Sequence, residues 1–180
     1  MTPHWTRRDT VAAAGAAVAC NLLGALGVPF TTPDAAWFRA LELPAFYPPN
    51  WAFGVVWPIL YALIGIAAYL VYREGRARDA AAVGMGGQKK GGLLPTDPTA
   101  RLALGLFAVQ LAVNVAWSPV FWGLQRVDLG LAVLVLLIGL VGATVAAFAR
   151  VDRRAAALLV PYLAWVCFAT VLNAAILFGN

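Results

Sequence analysis

Five long apolar stretches constrain this chain more than any other feature. They run from about Val11 to Phe30, Trp51 to Tyr72, Leu102 to Leu124, Leu129 to Ala149 and Ala155 to Phe178. None contains Asp, Glu, Lys, Arg or His. About 20 apolar residues in a helix cross the hydrocarbon core of a bilayer, so each stretch has the length of a membrane span. Composition agrees: 62% of residues are hydrophobic and 12% charged, against about 45–50% and about 25% in soluble domains. A soluble globule and a disordered chain are both excluded. The expectation is one all-α integral membrane domain over residues 1–180, a five-transmembrane-helix bundle. Two basic residues, Arg7 and Arg8, precede the first stretch as in a signal peptide. The apolar run outlasts a signal h-region of about 7–15 residues, however, which favours a span.

Basic residues set the expected orientation. With the N-terminus inside, the inner segments hold Arg7, Arg8, Arg73, Arg76, Arg78, Lys89, Lys90, Arg101, Arg150, Arg153 and Arg154, leaving Arg39 and Arg126 outside. This asymmetry predicts the N-terminus inside and the C-terminus outside, in a prokaryotic plasma membrane. The positive charge belongs to that rule and to anionic headgroups, so nucleic acid is not an expected partner. Residues 31–49 form an outer loop rich in proline, with a short helix expected from Asp34 to Leu41 and Asp34 as its N-cap. Residues 73–100 form an inner loop, basic and rich in glycine, expected to be flexible. The last two connections are short, so the third, fourth and fifth spans are antiparallel neighbours. No internal repeat marks an inverted-repeat transporter.

Few conventional catalytic chemistries are open. The only histidine, His4, lies outside the spans, and Cys20 and Cys167 sit far apart in apolar surroundings that suit packing. No metal site, catalytic triad or general acid–base pair is expected. The absence of ionisable groups in the spans also argues against an ion-coupled transporter. A purely scaffolding role stays open.

The third span has two contrasting faces at 100° per residue. Ala108, Ala112 and Ala116 make a small-residue stripe that suits close helix packing, either within the bundle or in a homodimer. Gln110, Asn114 and Trp117 fall nearly opposite. Amides in hydrocarbon face protein or a cavity; these two serve either as interhelical hydrogen-bond glue or as polar handles in a pocket. Of seven tryptophans, Trp5, Trp37, Trp51 and Trp122 lie near span ends and suit an interfacial belt. Trp57, Trp117 and Trp165 lie deeper. At about 1.5 Å per residue they sit roughly 10–20 Å below the outer ends, at depths like that of Asn114. Phe53, Trp57 and Tyr61 share one stripe of the second span, and Pro58 beside them is positioned to open space. The aromatics read either as ordinary packing or as a cavity for flat molecules beneath the outer loop.

The segments Pro44 to Tyr61 (PAFYPPNWAFGVVWPILY), Gln110 to Leu124 (QLAVNVAWSPVFWGL) and Pro161 to Asn173 (PYLAWVCFATVLN) resemble the TspO/translocator protein family, the former peripheral benzodiazepine receptor. The resemblance covers nearly the whole chain. It implies a five-helix bundle, often dimeric, that binds tetrapyrroles such as protoporphyrin IX and haem, or other flat hydrophobic ligands, with no cofactor required. The implied ligand-binding positions are Phe46, Pro48, Phe53, Trp57, Tyr61, Asn114, Trp117, Trp165, Phe168 and Ala169. Light-dependent porphyrin degradation is the alternative function, with Trp57 and Trp165 as photo-oxidation candidates. Arg39 is the expected partner of ligand propionates. Thr170 to Asn180 lacks the Tyr and Lys or Arg of the family's animal sterol motif, Phe38 stands where many members have Tyr, and the 73–100 connection is longer than usual.

Overall fold

The structure is a computed structural model that describes residues 5–85 and 92–180. Helix α1 (Arg7–Ala25) begins at Thr6, which forms a reciprocal capping box with Asp9. A 3₁₀ turn at Val28–Phe30 leads to the short α2 (Ala36–Arg39) and then to α3 (Asn50–Gly84). Helix α4 (Pro98–Ser118) runs into a π turn at Pro119–Gly123, and α5 (Val127–Ala149) and α6 (Arg153–Gly179) complete the chain. Among the described residues, α1, α3, α4, α5 and α6 are long and apolar enough to cross a membrane. Large apolar side chains such as Val11, Val18, Leu22, Val135, Leu136 and Val171 face outward, as a lipid-facing surface requires. The protein is a multi-pass membrane protein.

Helix α3 is the spine of the bundle. It packs on α1, α4 and α6, while α5 closes the far side against α4 and α6. The core is built from Ile64, Ala67 and Val71 of α3, Ala103 of α4, Leu137 and Val141 of α5, and Leu159, Tyr162 and Val166 of α6. Helix α1 is held almost entirely by α3. Their close approach depends on two glycines. A Cβ at Gly65 would lie 2.5 Å from the Ala16 carbonyl oxygen, and one at Gly24 would overlap the Tyr61 ring.

The 73–100 connection differs from the expected loop. Helix α3 continues through Gly84, because Arg73 to Gly84 is rich in strong helix formers and is tied down sideways. Arg78 pairs with Glu74 at 3.3 Å and donates to the Val151 carbonyl at 3.0 Å, beyond the end of α5. Asp79 accepts from the Thr96 amide at 2.7 Å and its hydroxyl at 2.6 Å. Pro95 is fully buried against Gly75. At 35 residues the helix extends about 50 Å, well beyond a hydrocarbon core of about 30 Å. His4, Gly86, Gly87, Lys89, Lys90 and Gly91 lie outside the described residues.

Three smaller expectations are corrected, and one open alternative is narrowed. Helix α2 starts at Ala36, and Asp34 leaves the cap to pair with Arg39 at 3.3 Å. Trp122 is buried against Phe38 and Phe121 rather than placed in an interfacial belt, because the π turn rotates it inward. Cys167 is exposed on the outer face of α6, whereas Cys20 is buried. Ala108, Ala112 and Ala116 also face outward, so the stripe does not serve packing within the bundle.

The α1–α3 contact yields a stability prediction. Gly65→Ala forces its Cβ into the α1 backbone and should cost about 1–3 kcal/mol. Gly139→Ala, where a Cβ meets nothing within 4 Å, should be neutral or gain up to about 1 kcal/mol. Thermal unfolding in detergent, read on both variants, checks the contrast.

Candidate functional site

A cavity of about 530 Å³ opens at the end of the bundle covered by the 31–49 loop. Its size falls within the range of about 300–1,000 Å³ typical of small-molecule sites. The C-terminal half of α1 contributes Asn21 and Gly24, the loop contributes Phe38 and Tyr47, and α3 contributes Phe53, Gly54, Trp57 and Tyr61. Helix α4 and its π turn bring Asn114, Trp117, Phe121 and Trp122, α5 brings Leu134, and α6 brings Trp165, Ala169 and Asn173. Among the described residues, none that lines the cavity is charged.

Seven of the residues singled out from the sequence meet in this wall: Phe53, Trp57, Tyr61, Asn114, Trp117, Trp165 and Ala169. Their spacing explains the convergence, since Phe53, Trp57 and Tyr61 are one turn apart on α3, as are Trp165 and Ala169 on α6. Trp57 stacks on Tyr61 with centroids 5.5 Å apart and meets Trp165 edge-on at 6.4 Å. Trp117 stacks on Phe121 at 4.8 Å. Phe46, Pro48 and Phe168 stand outside the lining. Phe168 backs Trp165 at 5.4 Å, Phe46 meets Phe168 at 6.5 Å, and Pro48 precedes Pro49, the N-cap of α3.

The covering loop is sealed by aromatic contacts. Phe38, only 4% exposed, sits 4.5 Å from Trp122 and 6.4 Å from Phe121. A ring so enclosed by other rings has no use for a hydroxyl, which accounts for phenylalanine here. The loop is also pinned by Asn180, whose side chain accepts from the Glu42 amide at 2.8 Å and donates to the Glu42 carbonyl at 3.3 Å. Burial pushes the Tyr47 phenol above its ordinary pKa, so it stays neutral. Arg39 is not in the lining; it lies on the loop, exposed and paired with Asp34.

At the floor of the cavity and beneath it the amide oxygens are used as interhelical ties. The Tyr61 hydroxyl of α3 donates to Asn114 Oδ1 at 2.5 Å, and the Tyr162 hydroxyl of α6 donates to Gln110 Oε1 at 2.9 Å. Gln110 is wholly buried and does not reach the cavity. Asn114 does reach it, with its oxygen already occupied. Other buried polar groups are left over, Gln110 Nε2 among them. The indole N–H groups of Trp117 and Trp165, and both ends of the Asn173 amide, have no partner. Two residues missed by the sequence reading, Asn21 and Asn173, carry the same signal as Gln110 and Asn114, an amide inside an apolar span. The inward turn of Phe121 and Trp122 carries no such signal, because it follows from the π turn after Pro119.

Tyr61→Phe should therefore cost about 1 kcal/mol by leaving the Asn114 oxygen unpaired. Adding Asn114→Leu to that variant should recover most of the loss, because the orphaned group is then removed. A thermal unfolding cycle over the two single variants and the double variant measures the coupling.

Comparison with known proteins agrees with this architecture. Residues 16–178 match the model of the TspO/MBR family. The chain is 36% identical to the translocator protein of Homo sapiens over 174 residues, 96% of this chain and 89% of the human one. It is 39% identical to protein CrtK of Rhodobacter capsulatus over 156 residues, 87% of this chain and 84% of that one. It is 36% identical to the tryptophan-rich sensory protein of Cereibacter sphaeroides, with 85% of each chain covered. With the matched residues running from the middle of α1 to the end of α6, the chain belongs to the TspO/MBR family of membrane proteins.

Proposed function

We propose that this protein is a membrane receptor or carrier that binds tetrapyrroles, such as protoporphyrin IX or haem, and other flat hydrophobic molecules in the loop-covered cavity. The observation that carries the reading is an uncharged cavity of about 530 Å³ walled by Trp57, Trp117 and Trp165. Flat ring faces gain both apolar burial and stacking there. The indole N–H groups of Trp117 and Trp165 are buried and unpaired in the cavity wall, so a small ring rotation would let them donate to a ligand without breaking a hydrogen bond of the fold. An ionised propionate has no countercharge within the lining, so a tetrapyrrole keeps its carboxylates at the mouth. Arg39 is suited to meet one there, because its exposed pair with Asp34 is weakly held and easily exchanged.

The setting of the cavity follows from charge. Arg76, Arg101, Arg150, Arg153 and Arg154 cluster at the end of the bundle away from the loop. The positive-inside rule places that end in the cytoplasm and opens the cavity toward the outer side. Bacterial relatives support a prokaryotic plasma membrane. The outward stripe of Ala108, Ala112 and Ala116 suits close approach of a second copy of the chain, giving a homodimer through α4.

One observation favours a second reading. Trp57 and Trp165 are in edge contact in the cavity wall, so a photoexcited porphyrin lying against that wall would have oxidisable rings within reach. This supports light-dependent porphyrin degradation with dioxygen as the oxidant. Spectra of the bound porphyrin separate the two: loss of the porphyrin bands under illumination, with none in the dark, marks the degradative activity.

Titration with protoporphyrin IX in the dark, followed by tryptophan quenching, tests the binding itself. Saturable binding is expected. Trp57→Phe and Trp165→Phe should raise the dissociation constant about 2- to 12-fold. Trp51→Phe, 71% exposed and outside the cavity, should leave it unchanged. Non-saturable quenching, or equal effects of all three substitutions, would refute the reading.

A further inference from the structure

Among the described residues, Asn173 is the one buried side-chain amide with neither end employed. Among the described residues, four polar side chains are buried: Gln110, Asn114, Thr144 and Asn173. Gln110 and Asn114 accept from tyrosines, and Thr144 donates to the Leu140 carbonyl at 2.7 Å. Asn173 is 3% exposed, and both its Nδ2 and its Oδ1 lack a partner. An amide in that position weakens the fold unless something else completes it.

Its surroundings say where the partner comes from. On one side the amide abuts α5 at Gly130, where a Cβ would fall 3.3 Å from Nδ2 and 2.9 Å from the Phe121 ring. That wall is backbone and aromatic carbon. The cavity lining includes Asn173, and both amide atoms lie just beneath the cavity surface. Along α6, Trp165, Ala169 and Asn173 recur every fourth residue and share one face. Trp165 and Asn173 are thus about 12 Å apart along the helix axis. Between them the small side chain of Ala169 leaves a slot.

We propose that Asn173 determines the specificity of the cavity, selecting flat aromatic ligands that carry a neutral carbonyl or carboxyl oxygen at one edge. The ring body lies on Trp165 and over Ala169, and the Asn173 NH₂ donates to the oxygen. The oxygen is neutral because no lining residue is charged to balance a carboxylate. The proposal rests on the cavity being a site for flat aromatic molecules, not on the ligand being a tetrapyrrole.

Two rigid planar probes of nearly the same shape isolate the oxygen: 9-fluorenone and fluorene. Their dissociation constants are measured in the dark on the full-length protein in detergent, for the wild type, Asn173→Leu and Asn173→Ser. The wild type is expected to bind fluorenone about three- to tenfold tighter than fluorene, the worth of one hydrogen bond. Asn173→Leu should abolish that preference by weakening fluorenone alone, and ligand-free it should melt no lower than the wild type, since an unpaired amide has been removed. Asn173→Ser should also lose the preference, and it supplies the result if the leucine variant does not fold. A preference that survives both substitutions, a wild type with none, or failure to bind either probe would overturn the proposal. A wild type that binds both probes but not protoporphyrin IX refutes the tetrapyrrole reading alone and leaves the Asn173 result standing.

Discussion

The pairing of polar side chains in a hydrocarbon setting governs this structure. Two tyrosine–amide hydrogen bonds, Tyr61 to Asn114 at the cavity floor and Tyr162 to Gln110 beneath it, join α3, α4 and α6. Each partner lies on a different helix, so the bonds fix register and rotation as well as proximity. In lipid, dispersion and such bonds do the work that hydrophobic exclusion does in water. Once these helices are set, Trp57, Trp117 and Trp165 are aimed at one space. The close approach of α1, made through Gly24 and Gly65, then closes its side.

The same constraint distinguishes scaffold from site. Among the described residues, five side chains hold buried polar atoms without partners: Trp37, Gln110, Trp117, Trp165 and Asn173. Three of them line the cavity. The bundle ties the amide oxygens of Asn114 and Gln110 to tyrosines and leaves the polar groups of Trp117, Trp165 and Asn173 unpaired in the cavity wall, where they weaken the fold unless something completes them. The aromatic cover of Phe38, Phe121 and Trp122 and the Asn180 clamp on Glu42 keep that space enclosed.

Much of this was legible in the residues, because membrane helices announce themselves by length and by the absence of charge. The spans, the depth of the three inner tryptophans and the shared stripe of Phe53, Trp57 and Tyr61 all follow from a rise of about 1.5 Å and a turn of about 100° per residue. What periodicity cannot carry was missed. The extension of α3 through Gly84 rests on side chains reaching across the connection, from Asp79 to Thr96 and from Arg78 to Val151. Trp122 was assigned by its distance from a span end, but the π turn changes its angle and buries it. Asn114 and Asn173 look alike in the sequence. Only the position of Tyr61 shows that the first is engaged and the second open.

The central claim is that the cavity's unpaired donors are completed by a ligand. Nitrogen-15 spectra of the tryptophan indoles, taken with and without protoporphyrin IX in the dark, test it most directly. The Nε1–H signals of Trp117 and Trp165 should move on binding while those of the exposed Trp5 and Trp51 stay in place. Saturable binding that leaves the Trp117 and Trp165 signals in place would contradict it.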